Sequence, residues 1–323
     1  MDTLSELLSV QSGVVTRRQL LTEAGLGPND VRRMLRRGAL VKAAGGVYID
    51  HNGELTWIQR SWVAVLSMWP AALSRTSAIR AANGPGRREP DDGPLHIAVD
   101  RTRSIEQPPG LRLHRLADLE SKVQWNRSPP RVRIEHAVLD VAAEAPSDFE
   151  CISRLADMVQ ARLTTAARIE EALGSRTRIG RRGFMADILD DIGNGTCSVL
   201  EHGYLCRVER PHGLPTAQRQ VRSSSPGPIY RDVEYADQGL EVELDGRLFH
   251  NTAKARDSDL DRDLDAAVDG RTTVRLGWGQ VFERSCLTAA RVGRLLEARG
   301  WPGPVLPCPK CAPPAQPRSG VSA

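Results

Sequence analysis

A short stretch near residue 240 alternates apolar and acidic side chains, and this pattern is the strongest sign of chemistry in the sequence. The apolar residues are Leu240, Val242 and Leu244, and the acidic residues are Glu241, Glu243 and Asp245. Such alternation predicts a β-strand with one buried face. Three carboxylates on the opposite face repel one another, and a divalent cation that prefers oxygen ligands, such as Mg²⁺, would remove the repulsion. The alternative is an edge strand whose acidic face is solvated.

Other ionisable residues flank this strand. Asp232 lies in a second β-prone run, and the polar turn between the two runs predicts a hairpin that brings Asp232 beside Glu243. Glu201 follows Ser198 by three residues, which is the spacing of a capping box at a helix start. His250 follows the strand, and a histidine whose pKa lies near neutrality can act as a general base. Ordinary structural roles, as a capping Glu and a helix-entry His, remain alternatives for Glu201 and His250.

Taken in chain order, these residues resemble the very-short-patch-repair (Vsr-like) endonucleases of the PD-(D/E)xK superfamily. The resemblance covers about residues 198–301 and rests on Ser-x-x-Glu, an Asp in a strand, Glu-x-Asp-Gly-x-x-x-His, Arg-Asp-x-x-Leu and Val-Arg-Leu-Gly-Trp. It implies a mixed sheet flanked by helices and a phosphodiesterase site that uses Mg²⁺ or Mn²⁺. Asp232 and Glu243 would hold the metal ion, and Glu201 matches a helical Glu of many members.

The sequence departs from the superfamily pattern two positions after Glu243. The founding pattern has a Lys there, which steadies the attacking water, whereas this chain has Asp245. The resemblance then implies that His250 is the base and that Lys254 or Arg256 replaces the missing positive charge. A second hypothesis stays open, in which the domain keeps the fold without cleaving and the chain is a regulator or an antitoxin-like protein. A protein-docking module is a third hypothesis.

The first part of the chain predicts a helix-turn-helix followed by a two-stranded wing. Thr16 is typical of a helix N-cap, and a second helix opens at Pro28 and ends at Gly38. The periodicity of this second helix places four arginines on its outer face, namely Arg32, Arg33, Arg36 and Arg37. Together with Lys42 on the wing, they suit contacts with DNA phosphates and guanine edges. The alternatives are a winged helix that docks to protein, or arginines that are only solvated.

This unit resembles the winged-helix N-terminal domain of AbiEi-like type IV antitoxins. The matching pieces are Thr-Arg-Arg-Gln-Leu, the Arg-rich second helix and Gly-Gly-Val-Tyr. The resemblance implies a domain that binds double-stranded DNA and represses its own transcription. It also implies a cognate toxin as a partner protein.

Composition limits the class of protein. The chain has 323 residues, of which 40% are hydrophobic and 4% aromatic, and we expect two or three domains with mainly aliphatic cores. A net charge of +4 does not by itself indicate nucleic-acid binding. The sequence has neither an apolar run of about 18 residues nor a basic leader, so we expect a cytoplasmic protein without a membrane span. The resemblance to antitoxins implies that the protein is bacterial.

The six cysteines are scattered and do not form the framework of a disulfide-rich domain. Cys308 and Cys311 form a lone CxxC in a Pro-rich tail. A zinc site needs two further ligands, and no partner half-site is visible in the sequence. The pattern therefore favours a feature of the tail over a metal site.

The predicted fold class is α+β / α/β, organised in four segments. A DNA-binding winged helix-turn-helix covers 1–52, and an antitoxin-like α+β connecting region without a catalytic constellation covers 53–193. The Vsr-like domain covers 194–301, and a disordered Pro-rich tail covers 302–323.

Overall fold

The computed structural model describes residues 3–84, 93–194, 198–219, 232–245 and 272–311, which form a mixed α+β fold. The helices of these residues are α1 (Thr3–Val10), α2 (Arg17–Thr22), α3 (Pro28–Arg36), α4 (Trp57–Ser67), α5 (Arg75–Asn83), α6 (Leu119–Lys122), α7 (Ile134–Ala143), α8 (Asp148–Gln160), α9 (Ala166–Gly174), α10 (Arg182–Asn194), α11 (Ser198–Tyr204) and α12 (Ser285–Glu297). Short π-helical segments span Leu205–Glu209 and Gly279–Glu283, and 3-10 turns span Arg210–His212 and Ala236–Gln238.

The described residues also form three sheets. Their strands are β1 (Val14–Thr16), β2 (Val41–Ala44), β3 (Val47–Ile49), β4 (Ala71–Leu73), β5 (Leu95–Asp100), β6 (Leu111–Leu116), β7 (Val123–Gln124), β8 (Arg131–Val132), β9 (Gln218–Arg219), β10 (Asp232–Tyr235), β11 (Leu240–Leu244) and β12 (Thr272–Leu276).

The chain divides into two compact units. The first comprises Met1–Glu144 with Ala161–Gly180, and the second comprises Ala145–Gln160 with Arg181–Ala323. This grouping places α8 and α10, which fall in the predicted connecting region, in the same unit as the C-terminal sheet.

The N-terminal part of the first unit is a winged helix. Its sheet has the order β1-β3-β2, and both pairings are antiparallel. The wing hairpin reverses at Gly46, whose φ of 73° lies in the left-handed region that glycine adopts without strain. The two wing strands were expected from the sequence, whereas β1 was not, because three residues are too short to show a period.

A helix cap at Thr16 and a small apolar core fix the positions of the three N-terminal helices. The predicted N-cap at Thr16 is confirmed, since the Gln19 N–H donates to Thr16 Oγ1 at 3.1 Å and the Thr16 N–H donates to Gln19 Oε1 at 3.0 Å. The buried residues that join helices to sheet are Val15, Leu20, Val31, Leu40 and Tyr48. Burial of these apolar side chains fixes the orientation of α3, whose other face is exposed.

The rest of the first unit contains a five-stranded sheet of order β6-β5-β4-β8-β7. Asp140 on α7 forms an ion pair with Arg176 at 2.5 Å. His136, one turn before Asp140, is half-buried, and its Nδ1 is enclosed without a hydrogen-bond partner among the described residues. Burial first, and then the Arg176 charge, lower the pKa of His136 to about 4.

The second unit contains the acidic strand in a mixed sheet of order β12-β11-β10-β9. β11 pairs antiparallel with β10 and parallel with β12. The predicted apolar face is confirmed, because Leu240, Val242 and Leu244 are fully buried. The charged stretch from Arg256 to Val268, whose apolar spacing predicts a helix, lies outside the described residues.

Residues 302–311, which the sequence assigns to a disordered tail, pack against α12. A side chain at Gly293 of α12 would place its Cβ only 2.0 Å from Val305 Cγ2, so the glycine makes room for this segment. The Leu306 N–H donates to the His212 carbonyl at 2.8 Å. The segment therefore has a defined path across the helix.

Candidate functional site

The acidic strand and its hairpin partner meet as the sequence predicts. In the β10–β11 pairing, Asp232 lies directly opposite Glu243. Residues opposed in an antiparallel pair have Cβ atoms about 4.5–5.5 Å apart, which is close enough for two carboxylates to share one cation. The backbone of Asp232 is described and its side chain is not, so the hairpin is confirmed and a shared cation remains a prediction.

Glu243 is buried and already has a positively charged partner. Its side chain is 11% exposed, and its Oε2 accepts a hydrogen bond from Arg275 Nε at 2.6 Å. The parallel β11–β12 pairing sets Arg275 beside Glu243. The ion pair offsets the cost of burying the carboxylate, and a metal ion must displace the guanidinium or share the carboxylate with it.

Arg275 is a site residue that the sequence reasoning did not find. The alternation Val274-Arg275-Leu276 indicates that Arg275 has the opposite orientation to its apolar neighbours. Which residue it faces depends on the register with β11, and a parallel register cannot be inferred from either strand alone.

Asp245 and Glu201 lie near the same sheet. The Asp245 N–H donates to the Leu276 carbonyl at 2.9 Å, which extends the β11–β12 ladder by one residue. Glu201 lies one turn before Tyr204 on α11, and the buried hydroxyls of Tyr204 and Tyr235 are 2.9 Å apart. This hydrogen bond fixes α11 against β10 and places Glu201 on the helix that faces the hairpin.

The start of α11 is capped from a neighbouring helix. The buried Asp191 of α10 accepts a hydrogen bond from the Val199 N–H through its Oδ2 at 2.8 Å. The Asp191 carboxylate therefore caps the N-terminus of α11. The side chain of Ser198, the predicted cap, is outside the described part of the chain.

The structure leaves other parts of the predicted acidic site untested. His250, Lys254 and Arg256 all lie outside the described residues. Within the described ranges, no three carboxylates converge to form a group of potential metal ligands. The roles of Asp232, Glu243, Glu201, Asp245 and His250 in holding Mg²⁺ or moving a proton therefore stay predictions.

A different set of metal-binding side chains does converge in the second unit. The structure brings His212 and Cys286 to the CxxC at Cys308 and Cys311, and all four potential ligand atoms lie within 4.8 Å of one another. The sequence favoured a tail feature here because the two additional residues are distant in sequence. Only the return of residues 302–311 to α12 and His212 reveals the group.

A basic surface lies on the exposed face of α3. All four predicted arginines, Arg32, Arg33, Arg36 and Arg37, are exposed, and Val31 on the other side is fully buried. Arg33 forms an ion pair with Asp30 at 2.5 Å, which offsets part of its charge. Lys42 on β2 is also exposed. These five cations form what we call the α3 basic surface.

The arrangement of α2, α3 and the β1-β3-β2 sheet defines a winged-helix domain, a class that commonly inserts its second helix into the major groove of DNA. Residues 2–49 match the family model described as "Transcriptional regulator, AbiEi antitoxin". The N-terminal domain is therefore similar to the winged helix of that transcriptional-regulator family. The match covers the winged helix and does not extend into the second unit.

Part of the chain is similar to the crystal structure of RV2827C protein from Mycobacterium tuberculosis. The two sequences are 23% identical, and the alignment covers 59% of this chain and 76% of that chain with a TM-score of 0.36. A likeness of that degree assigns neither fold nor function. No curated protein sequence matches the chain. Among the described helices, none has both the length and the apolar composition required to span a bilayer.

Proposed function

We propose that the chain is a transcriptional regulator that binds double-stranded DNA through the α3 basic surface. The observation that supports the proposal is the exposure of all four arginines of the α3 basic surface, in a domain similar to the AbiEi regulators. The apolar side of α3 is anchored by Val31 in the winged-helix core, so the basic side is presented on a rigid element. An exposed cationic helix of this kind can contact phosphates and base edges in the major groove.

Selection from a library of random duplexes tests this function. The full chain should enrich a sequence motif, and the double variant Arg32→Gln/Arg36→Gln should lose that enrichment while the protein stays folded. Failure of the native chain to bind or enrich any duplex at low salt would exclude the proposal. The enriched motif can then be compared with the DNA upstream of the gene itself, because an autorepressor must bind there.

A cognate toxin is proposed as a protein partner on the basis of the antitoxin family description alone. Co-expression of the chain with the products of adjacent genes, followed by co-purification, would identify such a partner. Rescue of growth by the chain in cells that express a toxic neighbouring product is the second readout. If no neighbouring product is toxic, this part of the proposal is wrong.

A second candidate function is a metal-dependent endonuclease, supported by the placement of Asp232 opposite Glu243 in a mixed sheet. Asp232 and Glu243 would hold Mg²⁺ or Mn²⁺, with Glu201 or Asp245 as a further ligand and His250 as the base. The bound ion would polarise the phosphate and lower the pKa of water. The resemblance to Vsr-like proteins supports this candidate, and with it a domain at 194–301.

The Arg275–Glu243 ion pair favours the non-catalytic alternative, in which the sheet keeps the nuclease fold but the carboxylate serves a structural role. Arg275 Nε lies 2.6 Å from Glu243 Oε2 and neutralises the charge of the buried carboxylate, so that charge does not need a metal ion as its partner. The position two residues after Glu243 is Asp245 rather than the Lys of the superfamily pattern. Both observations weigh against catalysis at this site.

Cleavage assays distinguish the two alternatives. Plasmid, linear duplex and mismatched DNA are incubated with the native chain and Mg²⁺ or Mn²⁺, in parallel with Glu243→Gln. Glu283→Gln is a matched control, because Glu283 is exposed in the same unit and paired with Arg284. Cleavage lost only in Glu243→Gln supports the nuclease. Absence of cleavage by the native chain with either metal supports the regulator without catalysis.

A further inference from the structure

The C-terminal segment delivers two cysteines to a defined place in the second unit. Val305 packs where Gly293 leaves room on α12, and Leu306 packs over Gly213, where an added Cβ would lie 2.8 Å from Leu306 Cδ1. Gly213 also has a φ of 62°, so a glycine is favoured there on two grounds. These contacts bring the turn of residues 308–311 beside His212, at the end of the 3-10 turn Arg210–His212.

The distances within the resulting His/Cys group match those of a tetrahedral zinc site. Bonds of about 2.3 Å to sulfur and about 2.05 Å to nitrogen in a tetrahedron require about 3.8 Å between sulfurs and about 3.6 Å between nitrogen and sulfur. The Cys308 and Cys311 sulfurs are 3.8 Å apart, and the Cys286 and Cys308 sulfurs are 3.5 Å apart. His212 Nε2 lies 3.6 Å from Cys311 Sγ.

The histidine is held in the tautomer that metal binding requires. His212 is 1% exposed, and its Nδ1 lies 2.9 Å from the Val208 carbonyl oxygen. A carbonyl can only accept a hydrogen bond, so Nδ1 carries the proton and the Nε2 lone pair faces the sulfurs. Orientation of a ligand histidine by a backbone carbonyl on its second nitrogen is common in metal sites.

Backbone N–H groups of the CxxC turn are directed at its two sulfur atoms. The Lys310 N–H points at Cys308 Sγ at 3.4 Å, and the Cys308 N–H points at Cys311 Sγ at 3.3 Å. The Cys311 N–H donates a hydrogen bond to the Cys308 carbonyl at 2.9 Å, which closes the turn. These backbone hydrogen bonds hold both sulfurs of the CxxC turn in defined positions beside His212 and Cys286.

The same geometry excludes a disulfide in this structure. A disulfide bond needs about 2.05 Å between its sulfurs, well short of the 3.5 Å between Cys286 and Cys308. All five cysteines of the second unit whose side chains are described, including the buried Cys151 and the exposed Cys206, are free.

We propose that His212, Cys286, Cys308 and Cys311 form a closed zinc site that binds the C-terminal segment to the rest of the second unit. Three sulfur ligands and one imidazole select zinc over the hard cations that carboxylates hold. Four protein ligands leave no position for water or substrate, so the role of the ion is structural. The site is independent of both candidate functions, since none of its ligands belongs to the acidic strand or to α3.

The first test is the metal content of the full chain, purified without added metal or chelator and measured by mass spectrometry of the elements. We expect one zinc per chain, and a small fraction of that in Cys308→Ser. Cys206→Ser is the matched control, because Cys206 Sγ lies 3.5 Å from His202 Nε2 but forms no group of three or more ligands among the described residues. It should retain the zinc. Glu243→Gln should retain it too, which separates this site from the acidic strand.

A second measurement keeps the test valid if Cys308→Ser does not fold. Native protein freed of zinc by a chelator should unfold at a lower temperature, and zinc but not Mg²⁺ should restore the midpoint. Cobalt substitution should give the visible absorption of tetrahedral cobalt with thiolate ligands. A metal-free native chain that neither gains stability from zinc nor gives this spectrum would overturn the proposal. A Cys286–Cys308 disulfide found by mass spectrometry, or iron or copper in place of zinc, would also overturn it.

Discussion

Neutralising two arginines of the α3 basic surface should reduce both the affinity for DNA and its dependence on salt. Each phosphate contact lowers the logarithm of the binding constant by about 0.9 for every tenfold rise in salt, because counterions are released. Arg33 already interacts with Asp30 at 2.5 Å, so we count four effective cations among the five. The expected slope for one winged-helix domain is therefore about −3.6.

The double variant Arg32→Gln/Arg36→Gln retains two effective cations, so its slope should be about −1.8. Between about 50 and about 200 mM salt, the native domain should then lose affinity about 150-fold and the variant about 12-fold. If two copies bind together, both slopes double and their ratio stays near one half. The ratio is thus the quantity that the structure predicts.

Fluorescence anisotropy with a labelled duplex of mixed sequence, at several salt concentrations, measures both slopes. The matched control is Arg101→Gln/Arg178→Gln, which removes the same charge from exposed positions of the same unit. It should leave the slope close to the native value. Equal slopes for the two double variants would refute the assignment of the interface to α3, and would attribute any binding to the overall charge.

Three further outcomes are expected. Thr16→Ala should lower the free energy of unfolding of the first unit by about 0.5–2 kcal/mol in urea, since it removes the helix cap; an unchanged midpoint would contradict that role. Tyr204→Phe should lower the free energy of unfolding of the second unit by about 1–3 kcal/mol, measured by thermal unfolding, because the buried Tyr235 hydroxyl loses one hydrogen bond. The double variant Tyr204→Phe/Tyr235→Phe should lose less stability than the sum of the two single changes. The folded-state pKa of His136 is about 4, below the ordinary 6.5, so stability of the first unit should fall as the pH drops from about 6.5 towards 4. His136→Gln should weaken this dependence in melting curves, and an identical pH profile would show that His136 does not cause it.

The winged helix was predictable because its signals are local. The capping residue Thr16, the opening Pro28 and the terminating Gly38 mark helix ends, and the position of Val31 opposite the arginines follows from helical periodicity. Each signal lies within a few residues of the feature it determines. The exception is β1, which consists of three residues and exists because it pairs with β3.

The acidic site was predictable only in part. Alternation identified β11 and its buried face, and the polar turn identified the hairpin that pairs Asp232 with Glu243. The partner of Glu243 could not be predicted, because Arg275 reaches it through a parallel pairing across residues 246–271. Parallel strands carry no turn signal that fixes their register.

The His/Cys group was not predictable from ligand spacing. Cys308 and Cys311 form a recognisable pair, but His212 is separated from Cys311 by 99 residues and shares no motif with it. The small residues that permit the approach, Gly213 and Gly293, have no evident role in the sequence alone. Tertiary packing brings these residues together.

The return of residues 302–311 to His212 also has a consequence for the order of folding. The contact between His212 and Cys311 closes a loop of 99 residues that contains every strand of the described mixed sheet. Closing so long a flexible loop costs about 4 kcal/mol in chain entropy, by the dependence on the logarithm of its length. The closure is therefore favourable only after the strands inside the loop have paired and shortened its effective length. The approach of the two chain segments would mark the completion of folding in the second unit, and its rate during refolding would report the slowest step of sheet assembly.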